Sequence, residues 1–307
     1  LVAGRYLCDA IGTRTTSLLG YTLAYDDRDN RLRPTRGQSL SLSQDFAGLG
    51  GSVKYVRTRA NASKHFNLGS RFILNLSAEG GYIYPFGGRP TPTSDKVRLT
   101  DRFFLGEPQM RGFDIRGVGP RVIRYGVTYD PTNPVVDTSN DNRGQIDDAL
   151  GGRAYYQGRL ELDIPLGSGA KEMGLRPSIF VDVGSVFSVK RPTLTTLADF
   201  RDPADGFTKF LCRNATTGVK AFATNTPNPD GTPSGDFTTC DTANGFSSLA
   251  PFEERFFGDT WMPRVSIGAG VNWNSPFGPF RIDFAYALRK EEGDDTKRFS
   301  FNVGTQF

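Results

Sequence analysis

Apolar and polar residues alternate with a period of two along most of this chain. Leu19, Tyr21, Leu23 and Tyr25 interleave with Gly20, Thr22 and Ala24, and Leu40 and Leu42 sit among Ser39, Ser41 and Ser43. Phe72, Leu74, Leu76 and Ala78 alternate with Ile73, Asn75, Ser77 and Glu79. The same period runs through Arg159–Ile164, Ile179–Gly184, Arg264–Trp273, Phe280–Arg289 and Arg298–Phe307. A weaker segment starts at Val53 and Tyr55 and is interrupted by Arg57 and Arg59. Period two marks a strand with two unlike faces. The pattern predicts about nine strands of roughly ten residues, the length with which a tilted strand crosses a bilayer. No helical period extends beyond a turn or two. No fixed motif recurs at intervals of about 20–50 residues, so a propeller or solenoid is not predicted.

Alternation alone also fits a soluble all-β sandwich, which buries one face and wets the other. Three features favour a membrane barrel. The polar face carries Gly, Ser, Asn and isolated charges, as a wet lumen does. Aromatics gather at strand ends, with Tyr82, Tyr84 and Phe86 in one group and Trp273, Phe277, Phe299 and Phe307 in others, resembling interfacial girdles. Connectors alternate in length: Gly87–Gly152 and Ser188–Pro263 are very long, Pro165–Gly174 and Asn274–Pro279 short. Barrels of outer membranes have short inner turns and long outer loops. The predicted fold class is all-β, an antiparallel transmembrane β-barrel.

Composition narrows the picture further. Among 307 residues there are 36 Gly, 24 Phe and 11 Tyr, too aromatic for a disordered tail. A net charge of +4 is too mild to argue for nucleic acid. No apolar run reaches the ~18 residues of a spanning helix, and Ile179–Val189 is broken by Asp182. One His and 3 Cys leave little room for a metal centre, and no cofactor motif is present. The chain opens on Leu1 with no apolar leader segment, so its true start is expected to lie upstream.

Three segments carry a resemblance. Tyr25–Gly37 reads as strand, turn and strand. Phe104–Pro120 contains Met110-Arg111-Gly112-Phe113 inside a long connector, and the chain ends on an alternating strand closed by Phe307. Together they resemble the BamA family of β-barrel assembly factors from the Gram-negative outer membrane, within a superfamily that includes TamA-type barrels and two-partner-secretion transporters. The family's loop motif is Val-Arg-Gly-Phe, so Met110 departs from it, apolar for apolar. Asn272–Phe280 is similar to that family's tight turn before the penultimate strand.

The resemblance implies that residues 1–307 are the C-terminal part of a sixteen-stranded barrel, preceded by POTRA domains that this chain lacks. It implies a lumen loop at 87–152 and an extracellular loop at 188–263. On that loop, Arg111 would fold back into the lumen. Glu161 and Asp182, inward on the next two strands, would be its clamp partners, since an unpaired guanidinium there is costly. Gly112, Gly117 and Gly119 would set loop geometry. In the last strand Phe299, Phe301, Val303 and Phe307 are expected to face lipid, with Ser300, Asn302 and Gln306 inward. Gly304 would let this strand bend and loosen a lateral seam. Cys212 and Cys240 share the outer loop, which faces an oxidising compartment, and are expected to form a disulfide, leaving Cys8 over.

Residues suited to covalent catalysis are missing from the pattern. There is no Gly-x-Ser-x-Gly elbow, and Gly167–Lys171 lacks a full phosphate-loop motif. His65 is placed in a polar turn, and Glu291–Asp295 reads as a solvated loop tip, without the spacing of a calcium loop. The resulting expectation is a non-enzymatic factor that folds and inserts other β-barrels. Its partners would be unfolded outer-membrane β-barrel chains, accessory lipoproteins reached through N-terminal domains, and outer-membrane lipid. The alternatives are a TamA-like or two-partner secretion pore, and a porin or receptor barrel.

Overall fold

The architecture was taken from a computed structural model. It describes residues 13–303 except 32, 88–94, 130–133, 137–146, 168–173, 195, 198–199, 202–207, 210, 215, 226–227, 233, 236–238, 250–251 and 276–277. Cys8, Gly304, Gln306 and Phe307 therefore lie outside the described residues, as does Phe277 of the expected aromatic girdle.

Nine antiparallel strands form one sheet in chain order. They are β1 (Leu18–Asp26), β2 (Gly37–Ala47), β3 (Tyr55–Asn67), β4 (Ile73–Pro85), β5 (Ala154–Asp163), β6 (Leu175–Phe187), β7 (Arg264–Ser275), β8 (Gly278–Arg289) and β9 (Phe299–Val303). Each strand pairs only with its sequence neighbours among these, and β1 and β9 form the two edges of the described sheet.

The two faces reverse the usual order of a water-soluble protein. Leu160, Ile179, Ile267, Phe284 and Tyr286 are exposed, whereas Glu161, Asp182, Ser266, Arg281 and Asp283 are buried. Exposing apolar side chains in water over a whole sheet would forfeit roughly 25 cal/mol per Å². The pattern is stable only where hydrocarbon meets the outer face. Aromatics mark both ends of the strands. Trp273, Phe280 and Phe301 stack in a row near the β7–β8 turn, with centroids 5.6 and 5.9 Å apart, and Tyr82 and Tyr84 are exposed at the far end of β4.

Two elements differ from the sequence reading. The segment interrupted by Arg57 and Arg59 is the 13-residue strand β3. Both arginines point inward, where Arg57 meets Asp45 at 3.0 Å, so a charge that would break a soluble core strand is accommodated on a polar inner face. His65 belongs to this strand too, paired with Gly37 and Asn75, rather than to a turn.

By its contacts the chain divides into two units. The first comprises the nine strands, residues 95–121 and the β8–β9 connector. The second comprises 122–147 and 193–255, so each long connector contributes to both units. In the second unit, Leu211–Asn214 lies between Lys220–Phe222 and Phe246–Leu249 in a three-stranded sheet. Cys212 is disulfide-bonded to Cys240, with Cα atoms 5.7 Å apart. Arg124 pairs with the buried Glu254 at 2.6 Å and lies over the Phe252 ring.

Candidate functional site: a loop clamped on the inner face of the sheet

Residues 103–120 fold as a compact loop over the inner face. The loop is closed at its base by antiparallel bridges from Phe103 to Gly152 and from Leu105 to Val118. Its apolar side chains supply the seat: Leu105, Met110, Phe113 and Val118 pack with Tyr155 of β5 and Val186 of β6. Met110 and Phe113 are fully buried on either side of the arginine. Burying side chains of this size contributes about 1.5–3 kcal/mol each. Gly112 has φ of +88°, and a Cβ there would stand 3.0 Å from the Ser266 Cβ. Both the left-handed backbone and the close approach to β7 require glycine.

Arg111 is 2 % exposed and enters a polar cluster spread over four strands. Its Nε and Nη2 donate to the two carboxylate oxygens of Asp182 on β6, both at 2.8 Å, and its backbone N–H donates to Oδ2 at 3.1 Å. Nη1 reaches Glu161 Oε2 on β5 at 3.3 Å and stands 3.8 Å from Asp283 on β8. The Arg111 carbonyl accepts a hydrogen bond from Ser266 on β7 at 2.5 Å. Beneath it the guanidinium lies 3.2 Å from the Phe180 ring centroid. Gly268, opposite Phe180, gives that ring its space, since a Cβ there would stand 2.5 Å from the ring's Cζ.

The structure thus brings together Arg111, Glu161 and Asp182. The fork geometry belongs to Asp182 alone, and Glu161 receives a single longer contact. Two more arginines and a third acid complete the cluster. Arg281 joins Glu161 and Asp283 at 2.9 and 2.8 Å, Arg159 donates to Asp182 at 3.0 Å, and Ser178 donates to Glu161 at 2.6 Å. Three guanidinium groups against three carboxylates leave no net charge, so each ion faces an opposite one, which low-dielectric burial demands. Arg159, Arg281 and Asp283 were visible in the sequence as inward positions of the alternation. What the sequence lacks is the height at which each strand crosses its neighbour.

The other side of the loop meets the last hairpin. Glu291–Asp295 is solvated only in part: Glu292 and Asp295 are exposed, but the Asp294 side chain is buried against Arg264 of β7 at 2.9 Å, because the loop and β7 each present polar groups to it. Gly119 N–H also donates to Asp294, at 3.3 Å. Lys297 forms an ion pair with Glu107 at 2.9 Å, and that carboxylate raises the lysine pKa above its ordinary value. In the β6–β7 connector Asp259 accepts from the Ser188 and Val189 amides at 2.7 and 3.4 Å, yet burial still raises its pKa. In β9, Phe299, Phe301 and Val303 are exposed, Ser300 is buried and Asn302 half-buried.

Fold and site together define an outer-membrane type of β-barrel wall with a loop fastened to its inner face. The Omp85 superfamily domain matches residues 5–307, and the chain belongs to that superfamily. Among curated relatives it is similar to the outer membrane protein assembly factor BamA of Neorickettsia risticii, 27% identical over 297 residues, covering 96% of this chain and 28% of that protein. The BamA of Neisseria meningitidis is 24% identical over 280 residues, covering 91% and 27%. A sorting and assembly machinery component 50 homolog of Xenopus tropicalis is 28% identical over 181 residues, covering 57% and 32%. The chain thus spans under a third of the length of these relatives. A crystal structure of Haemophilus ducreyi BamA lacking POTRA domains 1–3 shares the fold, with a TM-score of 0.57 and 22% identity over 94% of this chain and 42% of that one.

Proposed function

We propose that this chain forms part of the membrane barrel of a BamA-type factor that folds and inserts β-barrel proteins in the bacterial outer membrane. The observation that carries this reading is Arg111, buried on an inward-folded Met-Arg-Gly-Phe loop within an Omp85 domain. The factor works without covalent chemistry. It lowers the kinetic barrier to insertion by offering a weakly held strand edge as a template and by thinning the bilayer beside it. The Arg111 cluster acts as the clamp that keeps the loop on the inner wall while the edge moves. Its partners are unfolded outer-membrane β-barrel chains and the surrounding lipid.

Depleting the native gene product in its host tests the reading. Several unrelated outer-membrane β-barrels should lose their heat-modifiable folded form together. Loss of one secreted protein alone would point instead to a secretion pore. No loss at all, with steady ion conductance from the purified protein, would point to a porin.

A further inference from the structure

The loop touches the sheet in a second place, independent of Arg111. Phe113 bridges Thr296 in antiparallel fashion. Asp114 N–H donates to the Asp295 carbonyl at 3.1 Å, Asp295 N–H to Gly117 at 2.9 Å, and Lys297 N–H to Gly112 at 3.2 Å. Residues 112–117 therefore form a short ribbon with the segment that leads into β9. From the same loop, the buried Glu107 reaches two groups of that hairpin. Its Oε2 contacts Lys297 Nζ at 2.9 Å, and its Oε1 accepts from Asn302 Nδ2, inside β9, at 3.2 Å. Arg111 fixes the loop to β5, β6 and β7, whereas Glu107 fixes the same loop to β9.

We infer that Glu107 is a positioning residue that couples the seating of the loop to the position of β9. Within β9, Asn302 is the residue that hydrogen-bonds to the loop. The strand's exposed residues Phe299, Phe301 and Val303 face outward and give it no hold on the inner wall. Asn302 supplies an inward tether, and its partner is a carboxylate that is itself buried and charge-balanced by Lys297. A carboxylate in such a place is poorly hydrated, so it holds its two donors more tightly than an exposed one. Seating the loop therefore pins β9 to the inner face, and breaking the Glu107 contacts alone frees it while Arg111 stays seated on β5 and β6. The use of this coupling in releasing a template edge rests on the assembly-factor reading, but the coupling itself does not.

Hydrogen exchange of the native protein in detergent or nanodiscs, followed by mass spectrometry, tests it without an activity readout. Glu107→Ala should speed exchange of the 299–303 amides by about tenfold while leaving β5 and β6 unchanged, because only local opening of the edge is altered. Glu107→Gln keeps the acceptor for Asn302 and should give a smaller increase. The exchanged pair Glu107→Lys with Lys297→Glu should return β9 part of the way toward the parent rate, with the Asn302 amide turned so that its Oδ1 accepts from the lysine, which a merely space-filling role would not do. If Glu107→Ala fails to fold, Lys297→Met, on a partly exposed side chain, should still speed β9 selectively. Unchanged exchange in β9, or equal loosening across the whole sheet, would overturn the inference. Neither result would bear on whether the protein assembles other barrels, which depletion decides separately.

Discussion

The Arg111 side chain concentrates the energetics of the site. Deleting one partner of a buried, hydrogen-bonded ion pair costs about 3–5 kcal/mol, because the remaining charges lose compensation. Arg111→Ala leaves Glu161, Asp182 and Asp283 facing only two arginines, and should lower the unfolding free energy of the folded barrel by an amount in that range. Arg111→Lys should recover part of the loss, since an ammonium cannot fork onto both oxygens of Asp182. Asp182→Asn should be more damaging than Glu161→Gln. Asp182 accepts three hydrogen bonds from Arg111 and one from Arg159, whereas Glu161 accepts one each from Arg111, Arg281 and Ser178, so only Asp182 holds the loop arginine by a fork. Urea denaturation read by heat-modifiable gel mobility checks the order, and equal effects of the two acid variants would contradict it. Sequence periodicity placed Glu161 and Asp182 inward because side-chain direction follows from parity alone. It did not select Asp283, Arg281 or Arg159, because the rise from strand to strand is set by pairing register. Phe180, lying under the guanidinium, was readable as inward but not as a cation partner.

At the scale of elements, the inside-out pattern makes each strand position predictable in kind. In β9, Val303 is 55% exposed and faces outward, while Asn302 turns toward Glu107. Val303→Arg puts a charge on the lipid-facing side beside the aromatic row at the β7–β8 turn, where the cost falls from the ~2–4 kcal/mol of the midplane toward ~0–1 kcal/mol, whereas Asn302→Arg places one beside a carboxylate that can pair with it. Folding yield into vesicles should therefore fall more for Val303→Arg, and the reverse order would mean the strand is shifted by one residue. The strands themselves were largely legible, and the exception is instructive. β3 carries Arg57, Arg59 and Lys64, which a rule written for soluble cores treats as breakers. On a polar inner face Arg57 finds Asp45 across the strand pair, and only the environment of that face, not the local sequence, shows this.

At the scale of the molecule, the long connectors are divided between a sheet-bound part and a separate unit closed by Cys212–Cys240. The sequence could pair these cysteines only by their shared connector and compartment. It could not show where each connector changes from one unit to the other, because no composition break marks residues 121 or 193. Closing a loop of 28 residues removes denatured-state entropy worth about 3–4 kcal/mol in the chain-entropy model. Cys212→Ser with Cys240→Ser should make the second unit more protease-sensitive while the sheet keeps its heat-modifiable mobility. Simultaneous loss of both would contradict the division into units. The inner-face clamp and the inverted burial are the observations on which the proposed assembly function rests. The most direct measurement is reconstitution of the native gene product in lipid vesicles with an unfolded outer-membrane β-barrel protein, following the rate at which it folds. The account predicts folding faster than in empty vesicles by at least about tenfold, a difference of ~1.4 kcal/mol in barrier, and loss of that acceleration in Arg111→Ala. Equal rates with and without the protein, in vesicles where it is folded, would contradict it.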